Sequence, residues 1–338
     1  MGLISKLVFY TKSIVAVALL GSCALYGVIA SIVLGCIGKR HLAQWTTARS
    51  FYNVMGPVFG VEIKVINPEN LEKLPAIFVS NHQSELDILM LGRTFPQGCT
   101  VTAKQSLKYV PFLGWFMALS GTLFLDRSNR KKSVATLNKA LQELSTKKRA
   151  IWVFPEGTRS YTTKVCMLPF KKGAFHLAQQ GKIPIVPVIV SNTSTIFNPK
   201  LGIFNRGTIV VKVLDPIPTE DLKKEEVGEF TNKVRDLMER ELENLKYSKA
   251  INDTGLPEEV ASKASVVEQE GQESDANSHG IDDTDSISKD NSTDEVEEIV
   301  QAIEEESAPE QTEEQPEEQP EEESSEGVRE TADLTNDK

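Results

Sequence analysis

The sequence predicts an α/β domain with a mostly parallel sheet covered by helices, together with an N-terminal membrane-embedded helical segment and a disordered acidic C-terminal tail. Three observations support this prediction: a long uncharged stretch near the N-terminus, alternating strand-like and helix-like runs after it, and a strong acidic bias at the end. Alternation of strands and helices is typical of parallel sheets with both faces covered. We divide the chain into an anchor and amphipathic segment (1–60), a folded domain (61–250) and the tail (251–338).

The N-terminal segment contains a stretch long enough to enter a membrane. Ser13 to Gly38 are 26 consecutive uncharged residues, whereas a helix needs roughly 20 to cross the hydrocarbon core. A cleaved signal peptide is disfavoured, because its apolar part runs about 7 to 15 residues and no A-x-A cleavage site follows. Basic residues flank the stretch almost equally on both sides. The sequence therefore leaves open whether the segment crosses the membrane or enters one leaflet and returns.

Runs rich in β-branched and aromatic residues predict the strands of the sheet. These runs are Val61–Ile66, Ala76–Val79, Cys99–Lys104, Gly121–Leu125, Ala150–Phe154, Ile183–Val190 and Thr208–Leu214. The Ile183–Val190 run contains Pro184 and Pro187. Because proline cannot donate a hydrogen bond to a neighbouring strand, these residues predict an edge strand or a bulge.

Helical periodicity predicts the elements between and after these strands. Ser133–Leu144 and Phe170–Gln180 repeat apolar residues at helical spacing. A last helix, beginning at Thr219 or Glu220, carries an apolar stripe. The stripe consists of Leu222, Val227, Phe230, Val234, Leu237, Met238 and Leu242.

A further apolar run, Tyr109–Ser120, is interrupted by Pro111 and Gly114. It is short for a spanning helix, which needs roughly 20 residues. Its composition suits a helix that is buried or that lies on a membrane surface. We therefore predict a buried or membrane-surface helix rather than a second membrane crossing.

Charge divides the chain into a basic body and an acidic tail. Residues 253–338 hold 30 acidic and 4 basic residues and no Phe, Tyr, Trp or Cys, whereas residues 1–252 carry a net charge of +15. Such a tail buries too little apolar surface to offset its ordering entropy, so we predict disorder and assign it no partner. A basic body suits nucleic acid, an anionic membrane or phosphorylated substrates. The sequence lacks RNA- and DNA-binding fingerprints, which leaves membrane lipid and phosphate.

The cysteines and histidines favour a reduced protein without a metal site. The four cysteines form no CxxC pair, so we expect a reduced chain that faces the cytosol. The four histidines are widely scattered, so we expect no metal site. His176 falls on a predicted amphipathic helix and is expected to be structural.

The stretch S80-N-H-Q-S-E-L-D87 contains a histidine and an aspartate between two apolar runs. In one interpretation Ser84 caps a helix and Asp87 completes a capping box. In the other, His82 lies on the loop at the carboxyl end of a strand, where α/β folds place ligands. Asp87 would then orient one imidazole nitrogen and leave the other free to act as a base. The pair alone does not decide between the two interpretations.

The rest of the sequence favours catalysis. N81-H-x4-D87, G121-T-L-F-L-D-R127, V153-F-P-E-G-T-R-S160 and I183-P-I-V-P187 occur in the order and at the separations of the glycerolipid acyltransferase family. Bacterial and fungal members of that family acylate 1-acylglycerol 3-phosphate. The resemblance covers Val61 to about Lys246 and extends to the anchor, while the acidic tail lies outside the family pattern. N-H-x4-D alone is a weak signal, but the four blocks together are a strong one.

The resemblance implies a catalytic domain at 61–250 that transfers a fatty acyl group from acyl-CoA to the sn-2 hydroxyl of lysophosphatidic acid. The product would be phosphatidic acid, with acyl-CoA as co-substrate and no metal or redox cofactor. His82 would be the general base and Asp87 would orient it. The family context also implies an integral or monotopic protein of the endoplasmic reticulum membrane, with the lipid droplet as a further location. Two alternatives stay open, namely another acceptor such as glycerol 3-phosphate or a different lysophospholipid, and a membrane-anchored scaffold without activity.

The same resemblance implies a phosphate pocket built from F-P-E-G-T-R-S. Arg159 is suited to form two hydrogen bonds with a phosphate, although a surface ion pair between Glu156 and Arg159 is the alternative. Glu156, Gly157 and Thr158 would lie at the same sheet edge. The backbone N–H of Gly157 is a candidate donor to the oxyanion of the tetrahedral intermediate.

Two further cations are candidates for this pocket. Lys104 ends a predicted strand at the same edge, although lysines at strand ends are usually only solvated. Arg127 follows another strand, and its alternative role is to pair with Asp126. The Ile183–Pro187 block is too apolar for chemistry and would shape the wall of an acyl pocket.

Overall fold

The computed structural model describes residues 3–125, 136, 141 and 144–251. The predicted helix Ser133–Leu144 lies outside these residues except at three positions. Arg127 and the acidic tail from Asn252 onward lie outside them entirely.

The described part of the chain contains six α-helices with defined bounds, ten strands and several short 3-10 segments, and residues 136, 141 and 144–146 are also helical. The helices are α1 (Leu3–Cys36), α2 (Ala43–Phe59), α3 (Asp87–Thr94), α4 (Leu113–Ser120), α5 (Gly173–Gly181) and α6 (Val227–Leu245). The strands are β1 (Val61–Ile66), β2 (Ala76–Ser80), β3 (Cys99–Lys104), β4 (Leu123–Leu125), β5 (Ala150–Val153), β6 (Ile185–Val190), β7 (Phe197–Asn198), β8 (Ile203–Phe204), β9 (Gly207–Val213) and β10 (Lys249–Ala250). The 3-10 segments are Arg40–Leu42, Pro68–Glu72, Gln105–Tyr109, Thr193–Thr195 and Lys224–Glu226.

One mostly parallel sheet organises the domain, as predicted. Its strand order is β1-β9-β6-β2-β5-β3-β4, with β10 also paired to β9. The β6–β9 and β9–β10 pairs are antiparallel, and all other pairs in this sheet are parallel. At the centre, Phe78 pairs with Trp152 and Val79 with Val153. Because β2 and β5 end at the same edge, the loops that follow them are neighbours.

Helices cover both faces of the sheet, so the central strands are apolar on both sides. Phe78 and Trp152 stack at 5.2 Å between ring centroids and belong to the core shared with α2 and α3. The alternate residues Ile77 and Ile151 point to the other face and pack with α5 and α6. Alternate side chains of each central strand thus pack into two separate hydrophobic cores, one on each face of the sheet.

β6 is an interior strand, so the edge-strand alternative predicted from its prolines is wrong. It pairs with β2 on one side and β9 on the other. The second alternative, a bulge in this strand, stays a prediction. Between the Ile185–Ile217 bridge and the Val188–Val213 pair the register shifts by one residue, and Pro187 lies between them. Because the regular pairing with β9 begins only after Pro187, its missing N–H interrupts no ladder there.

The last helix begins later than predicted. The Thr219 hydroxyl donates to the carbonyl oxygens of Ala178 (3.1 Å) and Ile183 (2.8 Å), so it fastens a loop to α5 instead of capping a helix. The helical turn starts after Lys223, whose N–H donates to the Glu226 carboxylate at 3.0 Å. The predicted apolar stripe is confirmed except at Leu237, because its other residues on α6 lie in or against the hydrophobic core.

α1 packs along the folded domain over much of its length. Near its start, Lys12 Nζ donates to the Phe204 carbonyl at 2.6 Å, and Phe9 stacks on Phe197 at 6.3 Å. Further along, α1 packs on α2 and α4, where Gly27 faces Phe116. Among the described helices, α1 alone is long and apolar enough to cross a membrane. The side of α1 that turns away from the domain exposes many large apolar side chains.

The run Tyr109–Ser120 lies at the surface and does not cross the domain core. It forms the end of a 3-10 turn followed by α4. Tyr109 is 77% exposed, Trp115 54% and Phe112 42%. The helix contacts α1, so its exposed apolar side chains are close to those of the anchor. This arrangement agrees with the membrane-surface alternative of the prediction.

We expect Gly92→Ala to destabilise the fold, because α2 and α3 touch at this glycine. A Cβ at position 92 would lie 2.6 Å from the Ala48 carbonyl oxygen and 2.6 Å from Tyr52 Cβ. Overpacking of this kind costs about 1–3 kcal/mol of unfolding free energy. Thermal unfolding in detergent measures the loss. Gly173→Ala is the matched control, since a Cβ there meets nothing within 4 Å, and equal midpoints for the two variants would contradict the expectation.

Candidate active site

Two buried amides hold the loop that follows β2. Asn81 forms a reciprocal pair with the backbone of Val190, with both N···O distances 2.9 Å. The Gln83 side chain donates to the Val190 carbonyl (2.9 Å) and accepts from the Thr193 N–H (2.9 Å). These contacts continue the β2–β6 pairing beyond the strand end and fix the backbone on both sides of His82. The sequence analysis predicted no role for Asn81 or Gln83. The signal that could have identified them is that both are polar residues directly after a buried strand.

His82 and Asp87 lie in contact, with 2.6 Å between Nδ1 and Oδ2. Asp87 is buried, and the same carboxylate oxygen accepts the N–H groups of Gln83 (2.9 Å) and Ser84 (3.4 Å). The predicted cap at Ser84 is wrong, because α3 begins at Asp87 with Leu86 as its N-cap and no side-chain cap. Asp87 itself closes the turn before α3 and also holds the ring. With Nδ1 donating to a carboxylate, the neutral imidazole has an unprotonated Nε2 that can accept a proton.

The His82 ring is held flat against an aromatic side chain. It stacks on Phe154, the residue after β5, at 4.1 Å between centroids and an interplanar angle of 22°. The His82 side chain is 21% exposed. No other part of the described chain supplies a hydrogen-bond partner for Nε2, so the basic nitrogen is available to a substrate.

Glu156 anchors the backbone of His82. Its carboxylate accepts the His82 N–H at 2.7 Å and the Leu168 N–H at 3.2 Å, and it is only 4% exposed. Burial raises the pKa of Glu156 to about 8, while the two N–H donors act in the opposite direction. Because the carboxylate is enclosed by backbone N–H groups, its position does not suit contact with substrate. The predicted binding role of Glu156 stays a prediction, and the contacts that the structure gives its carboxylate are with two backbone N–H groups.

Gly157 has a conformation that favours glycine. Its φ is +74°, and a Cβ would lie 3.0 Å from Lys171 Cε. Its N–H donates to the Phe154 carbonyl at 3.1 Å and so closes the turn. This bond occupies the donor that the sequence suggested for an oxyanion. Thr158 follows on the exposed side of the same turn.

Arg159 pairs with Glu85 and not with Glu156, so the alternative ion pair considered from the sequence is not formed. Nη1 of Arg159 lies 3.0 Å from Glu85 Oε1 and 3.4 Å from the Tyr161 hydroxyl. Burial by itself lowers the pKa of Arg159, but the Tyr161 hydrogen bond and the Glu85 charge outweigh it and raise the pKa overall. The guanidinium therefore stays cationic. Within the described ranges, its Nε and Nη2 have no hydrogen-bond partner.

Of the two remaining predicted cations, the structure describes Lys104 but not Arg127. Lys104 is the exposed last residue of β3, which neighbours β5, so it lies at the same sheet edge as His82 and Arg159. Arg127 lies outside the described residues and stays a prediction. In the described part of the chain, no group of three or more His, Cys, Asp or Glu side chains is arranged to hold a metal ion.

The sequence is similar to known proteins over most of the folded part. The family model described as Acyltransferase matches residues 62–191. The 1-acyl-sn-glycerol-3-phosphate acyltransferase of Saccharomyces cerevisiae is 61% identical over 266 residues, which are 79% of this chain and 88% of that protein. The enzyme of the same name from Salmonella typhimurium is 34% identical over 207 residues, or 61% of this chain and 82% of that protein.

The fold is similar to a solved structure. The crystal structure of the 1-acyl-sn-glycerophosphate acyltransferase PlsC from Thermotoga maritima superimposes with a TM-score of 0.56 and 25% sequence identity. The match covers 73% of this chain and 98% of the other. The similarity thus extends over almost the whole of that smaller protein.

For Glu156→Gln we expect a weaker pH dependence of stability. The pKa of about 8 in the folded chain lies above the unfolded value of about 4.3. The carboxyl group therefore stabilises the fold fully below the unfolded pKa, and this contribution is lost as the pH rises through the folded pKa. Glutamine has no such titration and keeps an oxygen for the His82 N–H. Unfolding midpoints in detergent between about pH 5 and pH 9 measure the difference, and parallel profiles would contradict it.

Proposed function

The chain belongs to the acyltransferase family of the 1-acyl-sn-glycerol-3-phosphate acyltransferases, and from this membership we propose that it transfers a fatty acyl group from acyl-CoA to the sn-2 hydroxyl of 1-acyl-sn-glycerol 3-phosphate. The products are phosphatidic acid and free CoA. One observation of the geometry carries this proposal: the His82–Asp87 contact of 2.6 Å lies at the sheet edge that also presents Arg159. A base for a hydroxyl and a cation for a phosphate thus share one site.

His82 acts as the general base of the reaction. Nε2 removes the proton of the sn-2 hydroxyl while the oxygen attacks the thioester carbonyl, and a tetrahedral intermediate forms. The Asp87 carboxylate holds Nδ1–H and stabilises the imidazolium. Collapse of the intermediate breaks the carbon–sulfur bond, and the departing CoA thiolate takes the proton from Nε2. A general base of this kind supplies about 10²–10⁴-fold in rate. The thioester is already activated, so no acyl-enzyme is required.

The acceptor phosphate lies against the cations of the sheet edge. The free Nε and Nη2 groups of Arg159 form the planar fork that binds two phosphate oxygens. Lys104 supplies a second positive charge from the end of β3. A phosphorylated acceptor held by these two residues has its glycerol hydroxyl directed toward His82, which lies on the adjacent loop.

Membrane attachment follows from the apolar surface of α1 and α4. One side of α1 packs on the domain and the other side exposes large apolar residues, as do α4 with Trp115 and the preceding 3-10 turn with Tyr109. We propose a monotopic arrangement, with these exposed side chains in one leaflet and the domain on the membrane surface. A helix that crossed the bilayer along its whole length would draw the packed domain surface into the lipid. The proposed compartment is the endoplasmic reticulum membrane, with the lipid droplet as the alternative.

An acceptor panel tests the proposed reaction. Purified protein with radiolabelled acyl-CoA should acylate lysophosphatidic acid with a higher kcat/KM than glycerol 3-phosphate, lysophosphatidylcholine or lysophosphatidylethanolamine. His82→Ala should lower turnover by at least about 10²-fold and leave membrane association intact. Higher kcat/KM on another acceptor would replace the proposed substrate. Absence of acyl transfer from the wild-type protein to every acceptor would favour a non-catalytic scaffold.

Cysteine labelling tests the membrane arrangement. In a chain with the exposed Cys36 and Cys166 replaced by serine, we expect Trp115→Cys and Ile14→Cys in vesicles to resist a water-soluble maleimide, because lipid covers both positions. Lys233→Cys on α6, where the lysine side chain is 70% exposed, should react rapidly. Equal reactivity of the cysteines at positions 115 and 233 would refute the proposed membrane contact of α4.

A further inference from the structure

Glu85 and Tyr161 form a polar contact beside the candidate phosphate site that none of the predicted roles includes. Glu85 Oε1 accepts from the Tyr161 hydroxyl at 2.6 Å and from Arg159 Nη1 at 3.0 Å. Glu85 lies between His82 and Asp87 in the sequence. Its side chain, however, is exposed and reaches the loop after β5. One carboxylate oxygen therefore connects the His82 loop to the arginine.

These contacts engage only one end of the guanidinium. Glu85 and Tyr161 both approach Nη1, and Nε and Nη2 stay free of partners among the residues that the structure describes. Of the two guanidinium edges that can bind a pair of phosphate oxygens, the Nε–Nη2 edge is the one that these contacts leave open. We propose that Glu85 and Tyr161 are positioning residues that hold Arg159 with its Nε–Nη2 edge open to the acceptor phosphate. This inference rests on the proposed phosphate-binding role of Arg159.

The backbone around Tyr161 supports the same role. The N–H of Tyr161 donates to the Gln83 carbonyl at 3.0 Å, and the N–H of Ser160 donates to the His82 carbonyl at 2.9 Å. Tyr161 has a φ of +48°, a left-handed conformation that is costly for a residue with a side chain. In this conformation its hydroxyl returns to Glu85 and closes a connection between the two loops. These contacts between the two loops fix the position of Arg159 relative to His82 and Asp87.

A competing role for Glu85 would have opposite consequences. If its carboxylate occupied the phosphate site and had to be displaced, removal of the contact would strengthen acceptor binding. The geometry favours positioning, because Glu85 uses a single N–H of Arg159 and leaves the paired donors open. Tyr161→Phe separates the two roles without changing any charge, since it removes only the hydroxyl that holds Glu85.

Steady-state kinetics with lysophosphatidic acid test the inference. We expect Tyr161→Phe to raise the acceptor KM about three- to tenfold and Glu85→Ala to raise it at least as much, the range expected for partly exposed, charge-assisted hydrogen bonds. kcat and the acyl-CoA KM should change little. Glu85→Gln should restore part of the loss, because its amide oxygen still accepts both hydrogen bonds. Glu229→Gln removes an exposed glutamate paired with Lys233 on α6 and is the matched control.

A double-mutant cycle makes the test specific. If Tyr161 acts through the guanidinium fork, Tyr161→Phe should have almost no further effect in an Arg159→Lys background, because lysine has no fork to orient. An unchanged or lowered acceptor KM in Tyr161→Phe and Glu85→Ala, with an active wild-type enzyme, overturns the positioning role and leaves the proposed reaction standing. A wild-type protein that acylates no phosphorylated acceptor overturns both.

Discussion

Parallel pairing of β2 with β5 is the constraint on which the site depends. It brings the loop that carries His82 beside the loop that carries Glu156 and Arg159, and hydrogen bonds then lock the two loops together. The His82 backbone is held on both sides, through its N–H by Glu156 and through its carbonyl by Ser160. β6 completes the frame, because Asn81 and Gln83 extend its pairing with β2 past the strand ends. The backbone of His82 is thus fixed by the ends of three adjacent strands rather than by its own loop alone.

Two buried carboxyl groups near His82 are adapted to different tasks. One carboxylate oxygen of Asp87 contacts the imidazole Nδ1 and accepts two backbone N–H groups, which fixes the position of the ring. Glu156 lies deeper, and burial moves its pKa to about 8, so near neutral pH it is largely protonated and still accepts hydrogen bonds. Two adjacent buried anions would repel each other. A largely neutral Glu156 avoids this repulsion.

Local pattern was enough to predict most of the fold. The β-branched runs gave the sheet strands, and Asp87 near His82 was predicted from spacing and family resemblance. Contacts between segments that are distant in the sequence were harder to predict. Pro187 suggests an edge strand because the sequence does not show that pairing with β9 begins only beyond it. The Glu85–Tyr161 contact joins residues 76 positions apart, and no periodicity reports it. Glu156 was recognised, but only the three-dimensional structure shows that its carboxylate turns inward to a backbone N–H.

The docking of α1 on the domain also has a consequence for how the protein is made. Lys12 and its acceptor Phe204 are separated by 192 positions. At a synthesis rate of about 5–20 residues per second, the β7–β8 hairpin leaves the ribosome roughly 10 to 40 s after the helix that it contacts. Because α2 and α4 leave the ribosome before the hairpin, only the start of α1, around Phe9 and Lys12, waits through that interval for its partner. Docking of the start of α1 is therefore one of the last steps of folding, completed only after most of the domain has been synthesised.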